Sequence, residues 1–417
     1  MKRLFMGSLA ILAILILGGC GGKGSSASPP PGGITVAPGD GYVTVSWDMS
    51  PGVEYWLFHA TTNGATFDPS SCPSVSGCGT NIKVSSPFVV PSLLNGVTYS
   101  FEMNARTSGG PGGSPTPVVS TVPRIAGSSW IPNTSTDANA LRGVVQNGTV
   151  FVAVGDNGAM FSSTVNSAGW TTWTTWAKLT NPLPAANLNA VTYGGSYLAA
   201  GAGGVILLSS DAVTWTAQAS GTTNDLYALA TNGGGSYVAV GAGGTIIYSV
   251  GGGTWFTASP PTSNALYGVT YGGSEFVAVG AKGTVLTSTD GANWTLQAVT
   301  SNPLLDLKGV AYNGVSTFAA VGAAGALVTS SDGGVTWTSQ SPIGTSNALN
   351  ALTFGKQFVA VGDSGAIFTS LDGLTWQPQT STPATFENLY AVKSFTNSYL
   401  GVGYAAVGAS GRNLSSN

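Results

Sequence analysis

Histidine and charge are what this sequence mostly goes without: His59 is its single histidine, and only 7% of its 417 residues are charged. No Ser/His/Asp relay can form in the second half of the chain, where histidine is absent. Thirteen Lys and Arg against 16 Asp and Glu leave a formal charge of -3, so no basic field is available to hold a nucleic-acid backbone. The three cysteines, Cys20, Cys72 and Cys78, lack histidine neighbours and are too few for a zinc site; no metal or other cofactor is expected. Glycine is plentiful, at 61 residues, in a chain that is 43% hydrophobic. That balance excludes a disordered chain, and the length is ample for two or three domains, each with its own core. His59 falls in the strand-like run Tyr55–Ala60 and is expected to pack rather than to ligate.

Lys2 and Arg3 precede the apolar run LFMGSLAILAILILGG, which ends at Cys20. Leu17-Gly18-Gly19-Cys20 resembles the lipobox of bacterial lipoproteins. The resemblance implies a lipoprotein signal peptide over residues 1–20, lipid attachment at Cys20, and export to the cell envelope. Gly21 is not the aspartate that favours inner-membrane retention in such proteins, which points to the outer membrane or cell surface. A transmembrane anchor is the alternative, although the run is short of the roughly 20 residues a span requires. An oxidising compartment would let Cys72 and Cys78 pair as a disulfide that staples a Ser/Pro/Gly-rich loop. Residues 21–33, GGKGSSASPPPGG, have the composition of a flexible tether, with a reach of roughly 40 Å.

Residues 34–122 alternate short strand-like runs with turn chemistry, and no helical period occurs. Tyr42–Trp47, Glu54–Ala60 and Val97–Met103 carry the pattern, the last after an Asn95-Gly96 turn. The segment resembles a fibronectin type III β-sandwich. Trp47 then matches the tryptophan packed between the sheets, and Tyr99 the corner tyrosine.

Over residues 125–417 a unit of about 40 residues recurs seven times, approximately L-x-x-V-x-Y-x-G-x-x-F-V-A-V-G-A-x-G-x-I-x-x-S-x-D-G-x-x-W. Its G-x-x-G step falls at Gly155/Gly158, Gly201/Gly204, Gly241/Gly244, Gly280/Gly283, Gly322/Gly325, Gly362/Gly365 and Gly408/Gly411. Each unit holds four strand-like runs; in the third copy they are Leu226–Thr231, Tyr237–Val240, Thr245–Tyr248 and Thr254–Thr257. Four short strands per unit predict a seven-bladed β-propeller, making the whole chain all-β. Trp215, Trp255, Trp294, Trp337 and Trp376 each lie 11 or 12 residues after the second glycine of their copy, whereas the seventh copy has no such tryptophan. Trp130 stands 11 residues before Leu141, the interval that also separates Trp215 from Leu226, so a strand around Trp130 is expected to complete the last blade. A six-bladed or open ring stays open as the alternative. In the first copy Trp170, Trp173 and Trp176 compete for one position.

Between third and fourth strands, Ser330–Trp337 matches in full the S-x-D-x-G-x-T-W turn, and the repeat resembles the Asp-box (BNR) propellers of sialidases. Asp211, Asp290, Asp332 and Asp372 are the box aspartates, with Gly251 in that place in the third copy. Their expected role is structural, since aspartate accepts N–H bonds within a turn and tryptophan fills the space between blades. Sialidase chemistry needs an arginine cluster, and the repeat segment has only Arg142 and Arg412, with Arg124 in the linker that leads into it. The VAVG-x-x-G pattern also resembles the assembly factors of photosystem II, whose propellers bind protein partners. Their basic patch is missing, so a specific partner does not carry over.

Function is therefore expected at the rim where the G-x-x-G turns meet the loops before each first strand. Asp156 and Asp363 replace the usual alanine after the first glycine, and Lys282 follows one; Arg142, Asp225, Asp306 and Lys308 flank the neighbouring loops. Asn139, Asn224, Asn264 and Asn347 recur two residues before a first-strand leucine and are expected to form turns. The chain reads as a non-catalytic envelope lipoprotein that binds a protein or a polysaccharide, with membrane contact through the lipid alone. The alternatives are a glycan-active enzyme using funnel carboxylates such as Asp156 and Asp363, and a structural surface component.

Overall fold

The computed structural model describes residues 25–61, 79–128, 130–133, 137–164, 176–301, 304–381, 384–397 and 401–416. Cys20, Cys72, Cys78, Trp170 and Trp173 lie outside the described residues, and so do the lipid and disulfide expectations that rest on them. The described chain is all-β; its helical turns are three-residue 3-10 turns. Among the described residues no helix is long and apolar enough to cross a membrane.

Two compact units divide the chain. The smaller runs to Ser120, and the larger holds the chain from Thr121 onward together with Ala37–Thr44 and Val89–Val97. In the smaller unit, Ser26–Ala27, Tyr99–Arg106, Glu54–Thr61 and Gly79–Val84 form a sheet in that order, with Val119–Thr121 added beside Tyr99–Arg106. Tyr55 and Leu57 alternate inward and bury with Phe101, Met103 and Ala105, as a half-buried strand requires. The Trp47 ring lies 5.8 Å from that of Tyr55. His59 stacks 6.0 Å from Phe101, and burial lowers its pKa, so it packs as a neutral ring. Thr35–Gly39, Tyr42–Ser46 and Phe88–Val90 make a separate three-stranded sheet.

In the larger unit the repeats form seven successive antiparallel sheets of four strands, the fifth of which gains an extra strand at Val299–Thr300. The third sheet comprises Leu226–Thr231, Ser236–Gly241, Ile246–Val250 and Thr254–Thr257, within two residues of the sequence expectation throughout. The first strands of the seven sheets are Leu141–Asn147, Leu188–Tyr193, Leu226–Thr231, Leu266–Gly272, Leu307–Tyr312, Leu349–Phe354 and Leu389–Asn397. Each neighbours the next, and the last neighbours the first.

The second strands explain why the VAVG run is apolar without interruption. Successive side chains point to opposite faces of a strand, and here both faces are covered. Phe276 and Ala278 pack toward the third sheet, whereas Val277 and Val279 pack toward the fifth. Phe151 and Ala153 of the first sheet share a cluster with Phe395, Ala405 and Val407 of the seventh.

The seventh sheet takes its fourth strand from the front of the domain: Ile131–Asn133 pairs antiparallel with Asn413–Ser416. Trp130 is fully buried among Val359, Val361, Tyr404, Ala406 and Leu414, between the sixth and seventh sheets. In the first sheet Trp176 directly precedes the fourth strand, Ala177–Lys178, as Trp215 precedes Thr216–Gln218.

Candidate functional site

In all seven sheets the pairing of first and second strands slips immediately after the repeated leucine. Leu141 faces Gly155 while Gly143 faces Val154, and the same slip recurs at Leu188, Leu226, Leu266, Leu307, Leu349 and Leu389. The residue left over is Arg142, Asn189, Tyr227, Tyr267, Lys308, Asn350 or Tyr390. A β-bulge re-aims the side chain of its extra residue, so seven bulges aim seven side chains at one place. Together they line a mouth cavity of about 260 Å³. The first glycine of each G-x-x-G step permits this. A β-carbon on Gly155 would overlap the carbonyl oxygen of Ala140, and the other six first glycines stand in the same relation to the residue before their leucine.

Polar contacts tie the mouth together. The Arg142 guanidinium donates to Asp156 through Nε and through Nη2, the latter at 3.0 Å, and its carbon lies 5.1 Å from the Tyr390 ring centre. The bond to Asp156 raises the arginine pKa against the opposing effect of burial. Lys308 Nζ donates to Asn350 Oδ1 at 2.9 Å, while Asn350 Nδ2 donates to Asp363 Oδ1 at 2.8 Å and to the Leu389 carbonyl at 3.0 Å. Asn189 Nδ2 donates to the Leu226 carbonyl at 2.8 Å. The Tyr227 and Tyr267 rings stand 5.7 Å apart. Burial, with Asp225 near Tyr227 and Asp306 near Tyr267, raises both phenol pKa values, so both keep an O–H to donate.

Of the seven rim candidates, Arg142 and Lys308 stand in the mouth, with Asp156 and Asp363 bonded behind the ring. Asp225 Oδ1 accepts the Gly203 N–H at 2.8 Å and Asp306 Oδ1 that of Lys282 at 3.0 Å, so each latches the turn of the preceding sheet. Asn187 and Asn388 repeat the latch on Asn157 and Ser364. Asn139 Oδ1 accepts from Asn157 Nδ2, Asn224 and Asn264 donate to the hydroxyls of Thr245 and Thr284, and the Asn347 N–H donates to Thr345. Sequence reading missed Asn189, Tyr227, Tyr267, Asn350 and Tyr390. Their signal was available as the one variable position directly after a repeated leucine, but nothing in strand propensity marks a bulge.

Antiparallel pairing puts the turns between third and fourth strands at the other end of each sheet. Asp332 accepts the Thr336 hydroxyl at 2.6 Å, the Ser330 hydroxyl at 2.7 Å and the Thr336 N–H at 2.9 Å. Asp211 accepts the N–H groups of Thr214 and Val213, and Asp290 those of Asn293 and Ala292. These bonds hold all three carboxyls down at about 2, and Asp372 is lowered in the same way by Thr375. Trp294 Nε1 donates to the Gly291 carbonyl at 2.8 Å, and Trp255, Trp337 and Trp376 make the same bond three residues back. Ser288 Oγ accepts the Gly291 N–H at 2.8 Å.

The seventh turn is split between two distant stretches of chain: Trp130 Nε1 donates to the Gly127 carbonyl, and the Gly127 N–H donates to Ser416 Oγ, both at 2.8 Å. Among the described residues no three His, Cys, Asp or Glu side chains gather as a metal site. A further cavity of about 640 Å³, lined by Gly203–Ile206 and Gln218–Asn224 among others, presents no charged side chain.

Repeated four-stranded sheets with Asp-box-type turns at one end and variable side chains at the other define a propeller-like repeat protein. Residues 127–356, more than half of the chain, match the family of the photosynthesis system II assembly factor YCF48, and the chain belongs to that family. Among solved structures it is similar to one described as YCF48 bound to D1 peptide, with 18% identity, a TM-score of 0.54, and coverage of 69% of this chain and 96% of that one. It is also similar to YCF48 from Cyanidioschyzon merolae (16% identity, TM-score 0.55, 69% and 98% covered). The WD40 β-propeller domain of Doa1 shares the fold as well (12% identity, TM-score 0.53, 70% and 96% covered). At these identities the likeness is one of fold. No curated protein sequence matches the chain.

Proposed function

We propose that this chain is a non-catalytic scaffold that binds a protein partner at the mouth ringed by Arg142, Asn189, Tyr227, Tyr267, Lys308, Asn350 and Tyr390. The observation that carries the reading is the sevenfold bulge, which spends a variable residue from every sheet on one opening. Three tyrosines and an arginine in a shared cavity are the residue types that dominate protein-binding hot spots. The carboxylates nearest the mouth are engaged by Arg142 and Asn350, which speaks against a free acid/base pair. A relative that was solved with a peptide bound supports a protein as the ligand class.

We read the seven sheets as the blades of one ring, closed by the strand after Trp130. Residues 34–122 are read as a fibronectin type III spacer, carried on the tether of residues 21–33. The run before Cys20 and its LGGC string support a lipid anchor in the envelope, outer membrane or cell surface, with Cys72 and Cys78 paired after export. The test is capture from envelope proteins of the source organism by chain lacking residues 1–20, against the same chain with Tyr227, Tyr267 and Tyr390 changed to alanine. The expected outcome is one partner retained by the first and lost by the second. Equal capture by both would overturn the mouth as the binding face, and capture confined to purified cell-wall glycans would replace protein with polysaccharide.

A further inference from the structure

Below the mouth, the first strands line a channel. At the fourth position past the leucine, six strands place Val145, Thr192, Ala230, Thr270, Ala311 and Thr353, and the seventh places Lys393. Lys393 lines both the cavity of about 220 Å³ under the mouth and another of about 470 Å³ further along the first strands. Its side chain meets water in the lumen yet is surrounded by the inner strands, and that enclosure lowers its pKa. Among the described residues its ammonium has no hydrogen-bond or ion-pair partner. No carboxylate lines either cavity; the other charged groups there are Arg142 and Lys308, and the remaining titratable ones are tyrosines. Carboxylates nearby sit on the turns outside, with Asp156 turned to Arg142 and Asp363 to Asn350.

An ammonium that faces a water-filled lumen with no carboxylate in its lining is open to an anion, and the attraction is stronger there than in bulk water. We propose that the channel is a binding site for a small organic carboxylate, held by the Lys393 ammonium and admitted past Lys308 and the tyrosines of the mouth. Arg142 is engaged by Asp156 and Lys308 is turned to Asn350, so among the described residues one unpartnered ammonium is left to match one negative charge. A 220 Å³ space has the bulk of roughly seven waters, which suits a short-chain acid rather than a polymer. The hydroxyl of Thr270, which lines the further cavity together with Lys393, can donate to the second carboxylate oxygen. The cavity shares its upper lining with the mouth, but the test reads Lys393 directly and so does not depend on a partner binding there.

The test follows the side-chain resonances of isotope-labelled lysines in the full propeller-containing chain, with Lys393 identified by the signal missing in Lys393→Met. Sodium propionate is titrated against sodium chloride at matched ionic strength. The expected result is a saturable shift of the Lys393 signal with propionate, an upward move of its titration midpoint at saturation, and at least tenfold weaker propionate binding by Lys393→Met in calorimetry. Lys308→Met should weaken binding less. An equal response to chloride, a shift shared by Lys178 and Lys356, or phosphate binding as tightly as propionate would overturn the proposal. If Lys393→Met does not fold, Lys393→Gln supplies the assignment, and the wild-type titration alone still decides.

Discussion

The two ends of the seven sheets are built on opposite rules. At the Asp-box end the same residues recur: a serine accepts a glycine N–H, an aspartate gathers turn donors, and a tryptophan bonds the carbonyl three residues back. At the mouth end the geometry recurs while the residue changes, with the bulge carrying arginine, asparagine, tyrosine or lysine. Repetition of identity marks what holds the sheets together. Variation at a fixed geometry marks where the molecule can discriminate.

Substitutions should separate the ends. Trp337→Ala removes a buried indole and its bond to Gly334, and should lower unfolding free energy by about 3–5 kcal/mol in denaturant titrations. Trp130→Ala should match it, because Trp130 makes the same bond to Gly127; a loss under about 1 kcal/mol would mean that the seventh sheet is not closed in this way. The Asp-box carboxyls give a pH signature. Asp290 and Asp332 sit at about 2 in the fold against an ordinary 3.8, so their contribution is complete above the ordinary value and disappears as pH falls through the folded one. Melting temperature between pH 5 and 2 should therefore fall less steeply in Asp290→Asn/Asp332→Asn than in wild type.

At the channel the sign reverses. The lowered pKa of Lys393 means that the unfolded chain holds this proton more tightly, so wild-type stability rises with pH up to the ordinary lysine value of 10.5. Lys393→Met should melt higher near pH 7, by a margin that narrows toward pH 10.5. Ala212 is a smaller case: it holds the box-glycine position at φ 63, and the Trp215 indole N–H has no acceptor among the described residues. Ala212→Gly should stabilise by about 0.5–1 kcal/mol. Tyr227→Ala should change stability by less than about 1 kcal/mol while abolishing partner capture, and a larger loss would make the mouth a structural feature.

Sequence periodicity reached the strands of the third copy and the pairing of a front strand with the last copy, because unbroken apolar runs and regular tryptophan spacing follow directly from two-sided burial. It also named Arg142 and Lys308, since charge is rare here and conspicuous. Tyr227, Tyr267 and Tyr390 escaped because a tyrosine within a strand looks the same whether it packs or bulges. Lys393 escaped because its meaning comes from six uncharged counterparts around a ring, which no local window contains. Asp225 and Asp306 were legible as loop residues, but their bonds to Gly203 and Lys282 depend on the neighbouring sheet.

The bond from the Gly127 N–H to Ser416 Oγ joins residues 289 positions apart. The seventh sheet is complete only when Ile131–Asn133 meets Asn413–Ser416, so its closure needs both of these distant stretches at once. A chain without residues 413–416 would therefore display an unpaired strand edge in the seventh sheet.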